Sequence, residues 1–440
     1  MSQTPASSLG ETQSHNSLPG INFAARDWRD YTLQDKANIP AGYTYFAQLI
    51  GHDMGNSVPL SHIPHVRDRH GVQRSDDQTW AASRYNLIEN PLTLETIYGL
   101  GPVMTRHLYD PKTYKFRVET KVVMSLPHTA ADYSVRALHD PRNRDTTILH
   151  RLAVIWMKFH NAVVDQIAPD LQQRVIGNPK AKVLIFAQAR AHVLTVWHRL
   201  IWNDFLPTFA DPEVMAMSPS ERSIAAPLDE TSLMHGLFRA FHALPRRKYK
   251  FSDRTRRLRD FLLPDPDYSE TEEMQWRLDW NKFFDPEAEG TKTGICASFS
   301  PTLANPKGIH ISLLDAQTAQ ETGAVMLKDP FMQATIARLP DVWAAQLKAE
   351  HLAEQFTTKF AAQFGSQVTA EEIETCPIFL VFMIEAQLYG KNGRFGPLGS
   401  LFLLRSLEQA MTNVQYSVAG LGDSQVVYPA SLLELIETLK

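Results

Sequence analysis

Side chains that transfer protons, carry charge or bind metal ions recur in five short segments of this sequence. The segments are FAQLIGHDM (residues 46–54), DPRNRD (140–145), FHNAVVD (159–165), WNDFLP (202–207) and FRAFHAL (238–244). The imidazole of histidine is neutral near pH 7, so it can accept a proton, return it or bind a metal, whereas the guanidinium of arginine stays charged. A single histidine beside an apolar helix is most often a packed core residue. The chemistry must therefore be inferred from the set of segments.

The first segment continues an apolar stretch, AGYTYFAQLI (41–50), whose spacing predicts a helix. Two glycines in the following GHDMGN indicate the end of that helix, which places His52 at or just beyond it. Residues 57–83 contain Pro, Asp and Arg without periodicity and are predicted to be a loop. A metal site built from the three histidines of this loop is a minor alternative; they are His62, His65 and His70.

Two longer segments, residues 146–167 and 179–209, carry apolar residues at every third or fourth position. They are predicted to be central, largely buried helices. Residues 234–244 and 392–413 repeat the pattern, whereas alternating β-branched residues are scarce and no internal repeat is found. These patterns predict an all-α protein with a single helical domain over residues 21–440.

The bulk composition argues against several classes of partner. A net charge of −4 and a pI near 6.5 disfavour nucleic acid and anionic membranes, which call for a basic face. Cys296 and Cys376 lie outside any CxxC motif and are interpreted as buried thiols. The polar residues 1–20 are expected to be a disordered tail without a signal peptide, and no stretch is apolar enough to span a membrane. We therefore expect a soluble, cytoplasmic protein.

Taken together and in this order, the five segments resemble the animal-type haem peroxidase superfamily, which includes mammalian peroxidases, cyclooxygenases and many bacterial proteins. The resemblance extends from about residue 41 to residue 399. The chain lacks the long insertions of the mammalian enzymes and is similar to compact bacterial-type members. The resemblance implies one mainly helical haem peroxidase domain that binds haem b and uses hydrogen peroxide.

The resemblance implies that His52 is the acid/base of peroxide cleavage, taking one proton from peroxide and returning it to the departing oxygen. Gln48, four residues earlier on the same helical face, would position a water or peroxide molecule. Arg142 stands eighteen residues before His160 of the FHN motif, as in the superfamily. The resemblance therefore assigns Arg142, and not Arg144, to stabilise charge on the outer oxygen.

FRAFHAL resembles the proximal-ligand motif, which implies that His242 coordinates the haem iron. Asp315, eight residues before Gly323, falls where the superfamily has an asparagine that accepts a hydrogen bond from this histidine. A carboxylate there would enrich the imidazole in electrons and favour oxygen–oxygen cleavage; a solvated or capping aspartate is the alternative. Arg239 matches an arginine that binds a haem propionate, and a surface charge is its alternative interpretation.

Two departures from the superfamily imply that haem is held mostly without covalent bonds. Mammalian members form haem esters from an aspartate just before the distal histidine and from a glutamate three residues after the arginine. These positions are Gly51 and Asp145 here. Glycine has no side chain to react, and the shorter aspartate would form one ester at most. Thr146 replaces a methionine that favours chloride oxidation in one mammalian enzyme, so halide oxidation is less expected.

Superfamily members also bind calcium through an aspartate directly after the distal histidine and through a loop that ends in Tyr-Gly. Asp53 and the loop LTLETIYG (92–99) match this description, but the key aspartate of the loop is replaced by Thr93. Glu95 is then the carboxylate left in the loop for a cation that takes about six to eight oxygen ligands. Calcium binding by Asp53 and Glu95 is thus left open.

Three functions follow from the sequence. The first is a haem peroxidase that uses hydrogen peroxide to oxidise a small organic reductant or metabolite. The second is a fatty-acid or other lipid dioxygenase of the same fold; Arg239 stands where those enzymes have their radical tyrosine, although Tyr249 and Tyr268 lie nearby in sequence. The third is a non-catalytic helical binding protein that has lost haem.

Overall fold

The computed structural model describes residues 37–59, 84–118, 138–144, 146–174, 180–222, 233, 236–241, 244–246, 248–251, 254–258, 278–295, 303–304, 310–311, 326–364, 367–375, 378–412 and 428–439. The predicted tail, the three loop histidines, both cysteines and Tyr268 lie outside these residues. Most of the described chain is helical, which confirms the all-α class. No helix within this part of the chain combines the length and hydropathy needed to cross a bilayer.

The helices of the first half of the chain include α1 and the two long central helices. They are α1 (Gly42–Met54), α2 (Glu95–Tyr98), α3 (Gly101–Met104), α4 (Thr147–Arg174), α5 (Ala181–Leu200), α6 (Leu206–Phe209), α7 (Pro212–Ala216) and α8 (Phe238–Ala240). Short 3₁₀ turns occupy Arg106–Leu108 and Pro141–Arg144.

The helices of the second half include the most apolar helix of the described chain, Ile378–Leu388. They are α9 (Trp280–Phe284), α10 (Pro330–Ile336), α11 (Asp341–Gln346), α12 (Ala349–Phe364), α13 (Ala370–Glu374), α14 (Ile378–Leu388), α15 (Pro397–Thr412) and α16 (Leu432–Glu437).

The strands of the described residues form short antiparallel ribbons. The pairs are β1 (Ile39–Pro40) with β6 (Lys292–Thr293), β2 (Ser57–Pro59) with β3 (Arg84–Asn86), β4 (Lys248–Lys250) with β5 (Thr255–Arg257), and β7 (Leu303–Ala304) with β8 (His310–Ile311). Because β2 opens the predicted loop at 57–83, the prediction is wrong for its first three residues. Their partner lies on the far side of that loop, and three residues are too few to show a period of two.

The helices α1, α4 and α5 form the centre of the described fold. Trp156 of α4 and Trp197 of α5 meet edge to face, with ring centroids 4.9 Å apart. Phe46 of α1 meets Trp197 in the same way at 5.5 Å. All three rings are almost fully buried, and such contacts add to the large apolar area that aromatic rings bury. The predicted helices at 146–167 and 179–209 are confirmed, and these rings fix them against α1.

The helix α5 continues into α6 through a π turn at Ile201–Phe205. Pro207 has no N–H to donate to the carbonyl four residues earlier, and the wider turn comes just before it. The π turn presents Asp204, whose carboxylate accepts from the Tyr43 hydroxyl at 2.5 Å and from the Leu432 N–H at 2.8 Å. Asp204 thus anchors the C-terminal helix α16 to α1.

The end of α1 lies one turn later than the sequence predicts. Gly51 is inside the helix, and Gly55 ends it by donating its N–H to the Gly51 carbonyl. A Cβ added to Gly51 would lie 3.0 Å from Cδ1 of Phe238. This glycine is therefore explained by the close approach of an aromatic ring rather than by a helix terminus, and His52 belongs to the last helical turn.

The helix predicted at 392–413 begins later, at Pro397. Asn392 and Gly393 both have positive φ, 57° and 83°, which breaks a helical start. Of the segment predicted at 234–244, the residues that the structure describes between 236 and 240 are helical, with a π-type turn leading into α8.

Glu385 is a fully buried carboxylate in the otherwise apolar α14. Its two oxygens accept from the backbone N–H groups of Leu398 at 2.6 Å and Gly399 at 3.0 Å, in the first turn of α15. These N–H groups have no partner inside a helix, so the carboxylate joins α14 to the start of α15. A Cβ on Gly396 would come 2.5 Å from Cγ of Glu385, which requires glycine there. Burial raises the pKa of Glu385 to about 8.

We predict that Glu385→Gln removes part of the pH dependence of stability. The folded-state pKa lies above the unfolded value, so the free energy of unfolding should fall as pH rises from about 4.5 to about 8, by at most about 1.4 kcal/mol per pH unit for one proton. Urea unfolding near the two ends of this range measures the effect. Glutamine does not titrate, so its curve should be flatter; an equal offset of wild type and variant at both ends would contradict the assignment.

Candidate functional site

The predicted catalytic residues meet where the last turn of α1 contacts the 3₁₀ turn Pro141–Arg144. This turn directly precedes α4. Thr146 is buried at the start of α4, and its Oγ accepts from the Leu149 N–H at 3.0 Å in the manner of an N-cap. The turn is therefore tied to a central helix on one side and to α1 on the other.

Arg142 joins the 3₁₀ turn to the end of α1 through its guanidinium. Nε and Nη2 donate to the Asp140 carboxylate, the latter at 2.6 Å. Nη1 donates to the Gly55 carbonyl at 2.8 Å, and Nη2 also donates to the His52 carbonyl at 3.0 Å. Although burial raises the pKa of Asp140, the hydrogen bonds and charge of Arg142 hold it below its usual range. Arg142 thus satisfies carbonyls at the helix end that have no helical partner.

His52 lies beside these Arg142 hydrogen bonds, and its side chain is only partly exposed. Its Nδ1 lies 2.9 Å from Oδ1 of Asn143, which is fully buried in the 3₁₀ turn. Among the described residues, Nε2 has no hydrogen-bond partner. Burial and, to a smaller extent, the charge of Arg142 together lower the pKa of His52 to about 4. The imidazole is therefore neutral near pH 7.

Asn143 is the residue of this site that sequence reasoning missed. It stands between two arginines in DPRNRD, and its neutral amide carries no charge that would mark it as a catalytic candidate. A buried amide needs partners, but nothing in one sequence says that this position is buried. The predicted residues His52 and Arg142 are brought together, with the half-buried Gln48 one turn before His52 on the same face of α1.

The segment that carries FRAFHAL approaches α1 through Phe238, whose ring packs on Gly51. The ring centroids of Phe238 and Phe241 are 5.8 Å apart. Phe241 in turn contacts the rings of Phe205, in the π turn, and Phe209, at the end of α6. The FRAFHAL segment is thus in direct contact with two of the other resembling segments, FAQLIGHDM and WNDFLP. His242, Asp315, Asp145 and the side chain of Arg239 lie outside the described residues, so their roles stay predictions.

Asp53 forms a separate, fully buried contact with the loop that precedes α2. Its carboxylate accepts from the Leu94 N–H at 2.7 Å and from the Thr96 hydroxyl at 3.4 Å. Leu92 and Leu94 both have left-handed φ values, 58° and 53°, which are strained for branched side chains. Asp53 holds this strained loop against α1 through hydrogen bonds.

The two carboxylates for which calcium binding was left open do not fit that ion. Both oxygens of Asp53 face N–H or O–H donors, and burial raises its pKa to about 7. The Glu95 carboxylate accepts instead from the backbone N–H of Asn90 at 3.2 Å, on the exposed side of the loop. No group of three His, Cys, Asp or Glu side chains that could hold a metal ion occurs in the described part of the chain. The contact between helix and loop is explained without a cation.

We predict that calcium does not stabilise this protein. The melting temperature should be the same in excess calcium and in excess chelator, because the Asp53 oxygens are already engaged. Asp53→Ala should lower the free energy of unfolding by about 1–3 kcal/mol through the unpaired Leu94 N–H, whereas Asp53→Asn keeps an acceptor and should cost less. A melting temperature that calcium raises in wild type but not in Asp53→Ala would contradict this account.

Tyr249, a potential radical tyrosine by sequence, is fully buried in β4. Its hydroxyl accepts from the Arg246 N–H at 2.8 Å. The ring lies 5.9 Å from that of Tyr45 and stacks with Phe283 at 6.3 Å. These contacts describe a core tyrosine, and they give the dioxygenase alternative no specific support.

No family model matches the sequence, and no curated protein matches it. Among solved structures, the chain is similar to peroxidase A from Dictyostelium discoideum, with a TM-score of 0.55 and 9% sequence identity. The similarity covers 87% of this chain and 80% of that chain. At this identity it shows a shared helical fold and no more. The fold class implied by the five segments thus agrees with a comparison that does not use them.

Proposed function

We propose that this protein is a haem-dependent peroxidase of the animal type, which uses hydrogen peroxide to oxidise a small organic molecule. The observation that carries the proposal is the neutral, partly exposed His52, held beside the fixed cation Arg142 in a fold similar to that of a peroxidase. A base and a fixed positive charge at one place are what heterolysis of peroxide requires.

When bound, haem would supply the two electrons that reduce peroxide, and the organic substrate would replace them. His242 would hold the iron, Arg239 a propionate, and Asp315 the second nitrogen of His242. The described residues fit such a group in chemistry, because a neutral base and a cation lie together at the end of α1, and Gly51 of the same turn contacts Phe238 of the FRAFHAL segment. With Phe238 packed on Gly51, we expect mostly non-covalent haem.

His52 would take a proton from peroxide at Nε2 and return it to the departing oxygen, which leaves as water. Gln48, one turn earlier, would orient the peroxide. Arg142 uses four N–H groups for Asp140 and for the carbonyls of α1 among the described residues, which leaves one N–H on Nη1. Its role therefore combines a fixed charge, which together with burial keeps His52 unprotonated, with the support of the helix end.

We predict that His242→Ala removes stoichiometric haem binding, because the iron loses its strong protein ligand. The measurement is haem content and the Soret absorption after reconstitution, with circular dichroism to check that the variant is folded. His52→Ala, on the opposite side of the proposed site, is the matched control and should retain haem. An unchanged Soret band in His242→Ala would remove His242 from the site.

We predict that His52→Ala binds haem but reacts with hydrogen peroxide about 10² to 10⁴-fold more slowly, the usual effect of losing positioned acid/base catalysis. Stopped-flow absorbance of the reconstituted protein measures the rate. His198→Ala is the control, since His198 bonds the Leu92 carbonyl at 2.8 Å and is not placed in the site. If His52→Ala reacted as fast as His198→Ala, another group would have to be the base.

A further inference from the structure

We propose that Asn143 is a positioning residue that sets the tautomer of His52, with the proton on Nδ1 and the lone pair on Nε2. The inference deepens the proposed function, because that lone pair is the one needed to accept a proton from peroxide. The tautomer itself can be measured without haem.

The geometry of the pair specifies which nitrogen carries the proton. Nδ1 of His52 lies 2.9 Å from Oδ1 of Asn143. An amide oxygen can only accept a hydrogen bond, so Nδ1 must donate. In a neutral imidazole the other nitrogen, Nε2, is then the acceptor.

Asn143 is held in place from several directions. Its side chain is fully buried, and its backbone N–H donates to the Asp140 carbonyl at 3.2 Å. Asp140 and the end of α1 are joined on the other side by Arg142. The backbone of Asn143 is thus fixed relative to that of His52, and burial restricts the side chain between them, so rotation of the ring away from Oδ1 would break the hydrogen bond.

The chemistry of an amide suits this role better than that of a carboxylate. A carboxylate beside Nδ1 would favour the charged imidazolium, whereas a neutral amide orients the ring without adding an opposite charge. Asn143 therefore fixes the direction of the lone pair and leaves the imidazole neutral. The hydrogen bond made by one ring nitrogen decides which nitrogen is available for chemistry.

The test is ¹⁵N NMR of haem-free protein labelled at histidine, with His52→Ala used to assign the His52 signals. Wild type should show a protonated Nδ1 and an unprotonated Nε2. Asn143→Ala should shift His52 toward the Nε2-protonated form, and Asn143→Asp, which keeps an acceptor, should retain the Nδ1 proton. Asn161→Ala is the matched control, because Asn161 bonds the Phe116 backbone and not His52.

Two NMR results would overturn the inference. One is a wild-type His52 protonated at Nε2, which would mean that the Asn143 amide is turned so that its nitrogen faces the ring. The other is an unchanged tautomer in Asn143→Ala while the protein remains folded.

A kinetic arm separates this inference from the proposed function. With haem bound, Asn143→Ala should lower the rate of reaction with peroxide by about 10-fold or more, as expected for a catalytic histidine in the wrong tautomer. Asn143→Asp keeps the acceptor but favours the imidazolium, so it should recover part of that rate at a pH high enough to keep the imidazole neutral; Asn161→Ala should leave the rate unchanged. If the NMR result holds but reconstituted wild type does not react with peroxide, the proposed function fails and the positioning role stands. If wild type reacts but the tautomer is reversed, the positioning role fails alone.

Discussion

The contact between the Arg142 guanidinium and the end of α1 is the interaction on which the arrangement of the site depends. One planar group connects the Asp140 carboxylate with the carbonyls of His52 and Gly55, and these belong to two segments far apart in sequence. The planar fork of arginine suits it to several directed hydrogen bonds at once, which lysine could not supply with the same geometry. Without this contact, the turn that carries Asn143 would lose its register with His52, and the helix end would lose its capping donors.

Two further contacts hold α1 from its other sides. Phe238 packs on Gly51, which has no side chain to keep the ring away, and this sets how closely the FRAFHAL segment approaches. Asp53, the residue after His52, holds the strained loop at Leu92 and Leu94 by hydrogen bonds within the protein. Consecutive residues of one helical turn therefore provide a close aromatic contact, an imidazole paired with Asn143, and a buried carboxylate that holds the loop before α2. This explains why Gly, His and Asp follow one another at the end of a helix that is mostly apolar and aromatic.

Much of the fold could be predicted from the sequence where the signal is local and long. The apolar periods of α4 and α5 were sufficient, because a helix repeats its own pattern over many turns. Local patterns failed where a distant residue decides the outcome. Gly51 indicated a helix end in the sequence, whereas the fold shows that it allows the close approach of Phe238. The strand Ser57–Pro59 forms because it pairs with Arg84–Asn86 on the far side of a loop. For the site, the order of the five segments was sufficient to predict that His52 and Arg142 act together. Asn143 could not be predicted, because its role rests on its burial and on its distance from His52, which only the fold provides.

The most direct test of the central claim is a crystal structure of the haem-reconstituted protein, with the iron located by anomalous scattering. We expect one iron coordinated by His242, with His52 on the opposite face of the same haem and still paired with Asn143. Absence of bound haem after reconstitution, iron coordinated by His52, or both histidines on one face would contradict it.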